Sequence, residues 1–512
     1  MRQFAASANL FGTLAIALSF LLNWTDAAHH AVNRADSSPH VLASRTINST
    51  ETNACKSIAG SFGSGSASEV IYPLDFDYYS YIGHYMTSAE QYPACVVLPK
   101  SAADLAAVIK FVGDKRIRFA VSAGGHASNK GFSSTKGVHI TLKGFQQVTL
   151  STDKSYVDVG PGNVWDNVYQ ALSGTGVGVV GGRVSGVGVG GFTLGGGGYS
   201  WITNQRGLTV DTLQSADIVL PDGTLTTASA SHNPDLFWAI KGGGNRFGIV
   251  YNLRLKTNPQ GAVYGGLRTY TQDQLDEIVN ATYGFSENNK DAKAQIIPAF
   301  NFVLGQPGVS LLGFYDGDSP PAEAFAAFNQ DKASTFTDDW SSRSFIDLVR
   351  SAPSNLTSGQ RGAFHTVSLQ RYSKELLNLI VSELKYYGTT GLLKSATFIS
   401  YDVEPFLPYS QYATDSAWPH STNALPLNIY FAWTDPGQDA FWQAAIKATA
   451  NKIAAQAKAE GQKLDNLYLY PNYAVTGTDP AAIYGPNLAR LSALRKQYDP
   501  KDVMGLTTFF PF

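Results

Sequence analysis

His126 follows two glycines directly, in Ala123-Gly-Gly-His-Ala-Ser-Asn129. A turn of this kind lets the backbone come close to a ligand and sets the imidazole beside whatever the turn holds. Taken alone, the residue reads first as a satisfied loop histidine. A second feature lies downstream, where 15 glycines fall between positions 160 and 198. Gly186-Val-Gly-Val-Gly-Gly191 fits G-x-G-x-x-G, and Asp211 lies 20 residues on, which is the dinucleotide-binding spacing. The context rejects that use, because Phe192-Thr-Leu runs into four consecutive glycines that would break a helix. The run suits backbone N–H groups that cradle a pyrophosphate or line a flat ring. Tyr470 and Tyr473 stand close together in Leu467–Gly477. Three residues apart, they point to opposite faces of an extended strand. A phenol of ordinary pKa, near 10, needs its neighbours to act as a base at neutral pH. The plain alternative for both is a wall aromatic. No metal is expected: His84, His139, His232, His365 and His420 lack ligand spacing, and two cysteines cannot build a cysteine-based zinc or iron–sulfur site.

These residues need elements to position them. Val96-Val-Leu-Pro, a helical pattern over 101–113 with Ser101 as its N-cap, and a strand at 118–122 form a strand–helix–strand unit that ends on the Gly-Gly-His turn. Strands are expected at 138–142, 148–150 and 156–159, and an amphipathic helix at 162–173. Pro221-Asp-Gly joins strands 215–220 and 224–228 as a hairpin. A helix at 234–240 precedes a glycine turn and a strand within 241–256. Beyond 260, helical patterns at 272–284, 322–331, 373–387 and 438–460 alternate with strands at 296–303, 308–315, 396–402 and 427–433. That mixture points to helices over a largely antiparallel sheet. Another helix is expected at 488–497.

Of the 512 residues, 44% are hydrophobic and 15% charged, with a net charge of −2. This describes a globular chain without the basic face that nucleic acid or an anionic membrane requires. The chain opens with a signal-like segment. Arg2 is its only charge before Asp26, Leu10–Leu22 is uncharged and too short to span a bilayer, and Ala27-Ala28 follows. Secretion is expected, with a membrane anchor as the alternative. In a secreted chain the pair Cys55 and Cys95 suggests a disulfide, against two unrelated thiols. Asn48, Asn280 and Asn355 then mark glycosylation sequons. Residues 28–70 read as a loose polar leader tied down at Cys55.

Seven blocks in fixed order carry a resemblance. They are Pro93–Val112, Val121–Ser134, Val157–Leu172, Val179–Trp201, Gly207–Thr224, Asn233–Val250 and Tyr484–Met504. In these the chain resembles the berberine bridge enzyme-like branch of the FAD-linked oxidoreductases, the fold group of vanillyl-alcohol oxidase and p-cresol methylhydroxylase. The resemblance covers nearly all of 60–260 and about 470–512, whereas 261–460 matches only in character. It implies an α+β chain: a two-subdomain FAD-binding (PCMH-type) domain plus an α+β substrate domain whose antiparallel sheet is covered by helices. The division expected is signal peptide 1–27, leader and start of the FAD domain 28–90, FAD domain 91–260, substrate domain 261–470, and a segment 471–512 that returns to the FAD domain.

The resemblance assigns His126 as the covalent FAD attachment residue. Ser122, Ala123, Gly124, Gly125 and Ala127 would hold the pyrophosphate. Val184, Ser185, Gly188, Gly190, Gly191 and Gly195 would run along the flavin ring and ribityl chain. Asn245, Gly248, Ile249 and Val250 would lie on the adenine or pyrophosphate side, and Asn487 would bond toward the flavin ring. Relatives with two covalent links place a cysteine where Val184 stands, so a single link is expected. In the family, tyrosines near the C-terminal end of the substrate domain face the flavin, which makes Tyr470 and Tyr473 the candidate catalytic bases. Val475 stands where the family often has an aspartate after its Asn-Tyr pair, here Asn472-Tyr473. The activity implied is hydride transfer from a small organic, secondary-metabolite-like substrate to flavin N5, with O2 reoxidising the flavin to give hydrogen peroxide. A carbohydrate oxidase is the alternative, and a non-catalytic secreted binding protein the remote one. The partners expected are the substrate and O2 alone, with no nucleic acid and no membrane, and the chain is expected to be a monomer.

Overall fold

The computed structural model describes residues 49–303, 305–329, 335–352, 354 and 358–512. The expected signal peptide and the sequons at Asn48 and Asn355 lie outside the described residues.

From Ser49 the leader is helical rather than loose. Helix α1 (Ser49–Ser61) buries Ala54, Cys55 and Ile58. Cys55 is disulfide-bonded to Cys95, the first residue of strand β2 (Cys95–Leu98). Strand β1 (Glu69–Ile71) pairs antiparallel with β2. Helix α2 (Ala102–Asp114) starts where expected, with Ser101 accepting a bond from the Asp104 N–H. It buries Leu105, Val108, Ile109 and Val112. These share one core with Val97, Phe119, Val138 and Ile140, and each such side chain contributes about 1.5–3 kcal/mol. Strands β3 (Phe119–Ser122) and β4 (Val138–Thr141) complete a sheet in the order β1-β2-β4-β3, parallel across its last three strands. Because β3 ends at Ser122, the Gly-Gly-His segment leaves from the C-terminal edge of a parallel sheet.

A second sheet is antiparallel throughout. It comprises β5 (Val148–Leu150), β6 (Tyr156–Val159), β7 (Leu213–Val219), β8 (Leu225–Ser229) and β9 (Ile249–Lys256), in the order β5-β6-β9-β7-β8. Helix α3 (Trp165–Leu172) follows β6. The glycine run does contain a helix, α4 (Val189–Leu194), six residues long and capped by Gly188. Just before it lies an isolated bridge between Val164 and Gly188, and the nearest preceding strand is the two-residue Val177–Gly178, paired antiparallel with Asn258–Pro259. No buried parallel strand therefore leads into the helix as a Rossmann turn requires. Helix α5 (Pro234–Ile240) precedes the glycine turn into β9.

The third sheet is the largest. Strands β10 (Val263–Tyr270), β11 (Ala294–Val303), β12 (Gln306–Tyr315), β13 (Arg361–Leu369), β14 (Ala396–Val403) and β15 (Leu425–Trp433) run β10-β12-β11-β14-β15-β13, all antiparallel. Short strands Thr337–Asp338 and Ser341–Arg343 pair with β10. Helices α6 (Leu275–Asn288), α7 (Lys374–Gly391) and α8 (Asp439–Ala459) cover one face. Residues of odd number on β14 turn toward them, and the Tyr401 hydroxyl meets Thr449 of α8 at 2.9 Å. At one end the other face packs against Trp201 and the helix Phe345–Ser351 through Phe314; elsewhere Phe364 on it meets His126 and Tyr473. Asn280 is exposed on α6. Of the expected helix at 322–331, residues 330–331 lie outside the described residues and 322–329 form only a short turn, Ala326–Phe328. Phe325 and Phe328 anchor it, packing on Phe285 and Trp340 without regular helix. Strands β10 and β13 were not expected. Gly265-Gly266 in the first masks its strand pattern, and the second opens on Arg361-Gly362. Helix α9 (Leu488–Tyr498) matches the expected one. Among the described residues no helix is long and apolar enough to cross a membrane.

The Cys55–Cys95 bridge closes a loop of 40 residues. Replacing both cysteines by serine is expected to lower stability by about 2–4 kcal/mol, the chain-entropy value for such a loop. Denaturant titration of the double variant with reduced and oxidised parent as controls measures it.

Candidate active site

Three glycine segments converge. A Cβ on Gly124 would lie 2.3 Å from the Gly188 Cα, and one on Gly188 would lie 2.6 Å from the Gly124 Cα. The Gly-Gly-His segment and the start of α4 therefore cross backbone against backbone, at a separation only glycine permits. The Gly242 and Gly244 N–H groups both donate to the Leu194 carbonyl, which joins the third segment to the second. Gly125 has φ +70°, and its carbonyl accepts from the Tyr85 N–H at 2.9 Å. Among the described residues the N–H groups of Gly124, Gly125, His126 and Ala127 meet no protein acceptor. Successive free amides of this kind form a concavity for an anion.

The His126 ring stacks on Tyr85 (centroids 4.2 Å apart, planes at 16°) and lies parallel to Phe364 at 6.0 Å. Its Nε2 is buried without a hydrogen-bond partner. Burial lowers its pKa to about 4, so the imidazole is neutral at pH 7 and keeps a nitrogen lone pair. Other polar atoms nearby are also buried and unpaired, among them Asn245 Oδ1 and the Thr193 hydroxyl of α4. Ser122 bonds His139 Nε2 at 2.8 Å. Ser185 donates to Asp166 at 2.7 Å, which anchors the loop before α4. Gly190 packs on Pro161 and Ala123, while Gly191 has open space around its Cα. A Cβ on Gly195 would strike Asn472 Oδ1 at 2.1 Å. Gly248 (φ +140°) opens β9, where Ile249 and Val250 pair with Val219 and Ile218 and are buried. Those two side chains belong to the core, which leaves their backbone to approach a ligand. The Asn487 Nδ2 donates to the Ser416 and Ala417 carbonyls, both at 3.1 Å, so any bond toward a flavin would come from its Oδ1.

The two tyrosines do not sit on opposite faces of a strand. The Tyr473 N–H donates to the Tyr470 carbonyl at 3.1 Å, closing a turn through Pro471-Asn472. The rings then meet edge to face, 5.0 Å apart. Asn472 donates to the Tyr470 hydroxyl and to the Phe192 carbonyl. Asn129 holds the next residues, bonding Ala474 and Thr476, so the tyrosine turn is fastened to the loop that carries His126.

Tyr473 bridges a buried ion pair through two hydrogen bonds. Arg183 Nη2 donates to its hydroxyl at 2.9 Å, the hydroxyl donates to Glu404 Oε1 at 3.0 Å, and Arg183 Nη1 pairs with Glu404 Oε2 at 2.7 Å. The Arg183 and Glu404 side chains are 8% and 2% exposed. Burial and Glu404 push the Tyr473 phenol well up, against the opposing pull of Arg183. Burial likewise raises Tyr470. Val475, at the position where an aspartate is common, is buried and supplies no acid. The carboxylate comes instead from Glu404, just beyond β14. Arg183 and Glu404 were missed by sequence reasoning. Arg183 stands beside the expected Val184, but nothing in the sequence pairs it with a residue 221 positions on. Tyr85 and Phe364 carried no signal either.

A protein-family model described as an FAD binding domain matches residues 93–229. These residues hold the first two glycine segments, and their unpaired amides and buried neutral histidine suit such a cofactor. An FAD-dependent monooxygenase of Cochliobolus heterostrophus is 31% identical over 80% of this chain and 83% of its own length. One from Arthrobotrys oligospora is 30% identical over 80% of both chains. Among solved structures, Physcomitrella patens BBE-like 1 superposes with a TM-score of 0.73 at 19% identity, over 89% of this chain and 98% of that one. Chitooligosaccharide oxidase gives 0.71 at 20%, over 90% and 100%. Acremonium strictum glucooligosaccharide oxidase, described with a 6-S-cysteinyl, 8α-N1-histidyl FAD, gives 0.72 at 19%, over 88% and 97%. The molecule is therefore an FAD-binding oxidoreductase of the PCMH-type fold. The chain belongs to the FAD-linked oxidoreductases, in keeping with its resemblance to the berberine bridge enzyme-like branch.

Burial also holds His139 at about 3, His365 at about 4, and His84 below its usual value. An unfolded chain takes up these protons near pH 6.5 and the folded one resists them, so their contribution is complete above that pH and is lost as the pH falls toward 4. The melting temperature is expected to drop steadily between pH 6.5 and 4, as differential scanning calorimetry in matched ionic strength would record. A flat profile over that window would contradict the buried neutral state.

Proposed function

We propose that the chain is a secreted flavin-dependent oxidase that holds FAD by one covalent bond, at His126, and oxidises a small organic substrate. The supporting observation is the His126 imidazole: neutral, stacked, with a buried nitrogen that no protein group uses, at the end of four free amides. Ser122, Ala123, Gly124, Gly125 and Ala127 would take the pyrophosphate on their backbone. Val184 offers no sulfur for a second bond, in contrast to the neighbour described with a cysteinyl link. Asn245 and Asn487 would supply polar contacts to the rest of the cofactor.

When bound, FAD supplies a two-electron acceptor, and the protein's part is to orient the substrate and manage its proton. Tyr473 is the residue placed to receive a substrate O–H or N–H proton. As it does so, its own proton passes along the existing bond to Glu404 Oε1. Arg183, bonded to both, offsets negative charge on either. The working base is thus the Tyr473–Glu404 pair, which removes the need for a free phenolate in a buried site. Tyr470 acts as a wall, fixed by Asn472. Export to an oxidising compartment agrees with the Cys55–Cys95 bond and the signal-like N-terminus.

Two measurements follow. Purified protein precipitated with acid is expected to keep its yellow colour in the pellet, and His126→Ala to leave the pellet colourless. Flavin in the supernatant of the parent protein would end the covalent reading. Oxygen uptake over phenolic, alkaloid-like, polyketide-like and sugar panels identifies a substrate. With that substrate, Tyr473→Phe is expected to lower kcat by about 10²–10⁴, the usual range for loss of a positioned base, while its acid-stable flavin content stays at the parent level.

A further inference from the structure

The site-facing side of the third sheet carries a polar line that the proton transfer does not use. Register sets Asp402 of β14 beside Asn428 of β15, and Asn428 beside Thr366 of β13. Side chains alternate along a strand, so Asp402 shares its face with Glu404, and Thr366 shares its face with Phe364. That face looks toward Tyr473 and His126. Neighbouring strands lie about 4.8 Å apart, so the three residues span about 10 Å.

Their hydrogen bonds are incomplete in one sense only. Asp402 accepts from the Ser400 hydroxyl at 2.5 Å and from Asn428 Nδ2 at 2.9 Å. A carboxylate is an acceptor, so this contact fixes the Asn428 amide with its nitrogen toward Asp402 and its oxygen away. Asn428 Oδ1 then has no partner, and neither has Thr366 Oγ1. The two residues are only 8% and 1% exposed. A buried acceptor without a donor is costly, which points to a ligand that brings one.

Charge agrees with this. Arg183 is the cation that acts on Asp402, and it is already committed to Glu404. Two carboxyl groups thus share one guanidinium. Burial and Glu404 push Asp402 up to about 6, so it is largely ionised somewhat above neutral pH. Beside the polar line, Phe364 and Tyr430 sit opposite each other with ring centroids 4.8 Å apart and planes tilted by 50°, and Phe364 lies parallel to the His126 ring at 6.0 Å.

We propose that Thr366, Asn428 and Asp402 recognise a hydrogen-bond-donor group of the substrate, a hydroxyl or an ammonium, on a flat ring lying over Phe364 and Tyr430, and that they reject carboxylates. This rests on the flavoenzyme reading and names the substrate chemistry of that site. An ammonium can donate to Asn428 Oδ1 and Thr366 Oγ1 together, and a hydroxyl can donate to Asn428 Oδ1 while accepting from the Thr366 hydroxyl. A ligand carboxylate brings no donor and adds a third negative group where one cation is available.

Benzyl alcohol, benzylamine and benzoate keep one ring and change the head group. Isothermal titration of the holoenzyme slightly above neutral pH is expected to show the alcohol, the amine or both binding at least about tenfold tighter than benzoate. Whichever of the two binds tighter tells which donor the row prefers. Asp402→Asn is expected to bring benzoate within about threefold of the alcohol, and Thr366→Val, nearly isosteric, to weaken the donor ligands about fivefold or more. Benzoate binding as tightly as both donors, no measurable heat from any of the three at millimolar concentration, or unchanged discrimination in Asp402→Asn would overturn the proposal. Flavin absorbance of the same samples reports the cofactor independently of the heats, so loss of the flavoenzyme reading is seen separately.

Discussion

The contact on which the rest depends is the crossing of Gly124 and Gly188. Two backbones meet there with no side chain between them. Any Cβ would push the Gly-Gly-His segment off the start of α4. Close approach explains the glycine density better than flexibility does. Gly195, a few residues on, is pressed against Asn472 instead, and Asn472 reaches back to the Phe192 carbonyl and the Tyr470 hydroxyl. The segment that positions the histidine and the turn that positions the tyrosines are thus fitted to the same short stretch of chain. Glycine loses much conformational freedom on folding, and here that loss is offset by contacts no larger residue could make.

A second lock is electrostatic. Arg183 leaves the glycine run, Glu404 follows the third sheet, and Tyr473 belongs to the C-terminal segment, yet the phenol bridges the ion pair of the other two. Burying a guanidinium and a carboxylate is expensive, and their attraction recovers the cost only with good geometry and further hydrogen bonds. The Trp201 indole N–H bonds the Arg183 carbonyl at 3.0 Å, and the Phe406 ring lies 5.5 Å from the guanidinium. Such a pair is weak evidence of stability. Its use is to hold a phenol between a donor and an acceptor, where a proton can arrive from one side and leave by the other.

Legibility in the sequence followed the kind of contact involved. The cofactor half works through backbone, and backbone requirements show as residue types in fixed order: the turn at Gly124-Gly125-His126, the run ending at Gly198, the Pro221-Asp-Gly hairpin. Ser101 and the apolar spacing of α2 were readable for the same local reason. The substrate half works through side chains brought together by strand register. Glu404 reaches Arg183 across 221 positions, and no periodicity announces that. Tyr473 was named from its neighbourhood, but its geometry was read as an extended strand, because the bonds that fold Tyr470–Tyr473 into a turn depend on Pro471 and on Asn472 meeting α4. The acid expected at Val475 was missing from the local text and was supplied from the sheet.

This division also explains how one fold serves proteins named as monooxygenases and as oligosaccharide oxidases. A fold hosts a function without determining it. In the proposed reading, the first two sheets and their glycine segments fix where a flavin would lie, and they would do so with atoms every residue possesses. In the same proposed reading, selection of the substrate falls to the site-facing side of the third sheet, where one substitution changes the chemistry presented without moving the backbone. On this chain that face offers aromatic rings beside His126 and acceptors from Thr366 to Asp402. Its cation is held by Glu404 and Tyr473 rather than turned to the ligand. If both proposals hold, the same guanidinium does two things: it steadies the proton-transfer pair, and by being occupied it leaves the neighbouring surface to ligands that bring hydrogen-bond donors.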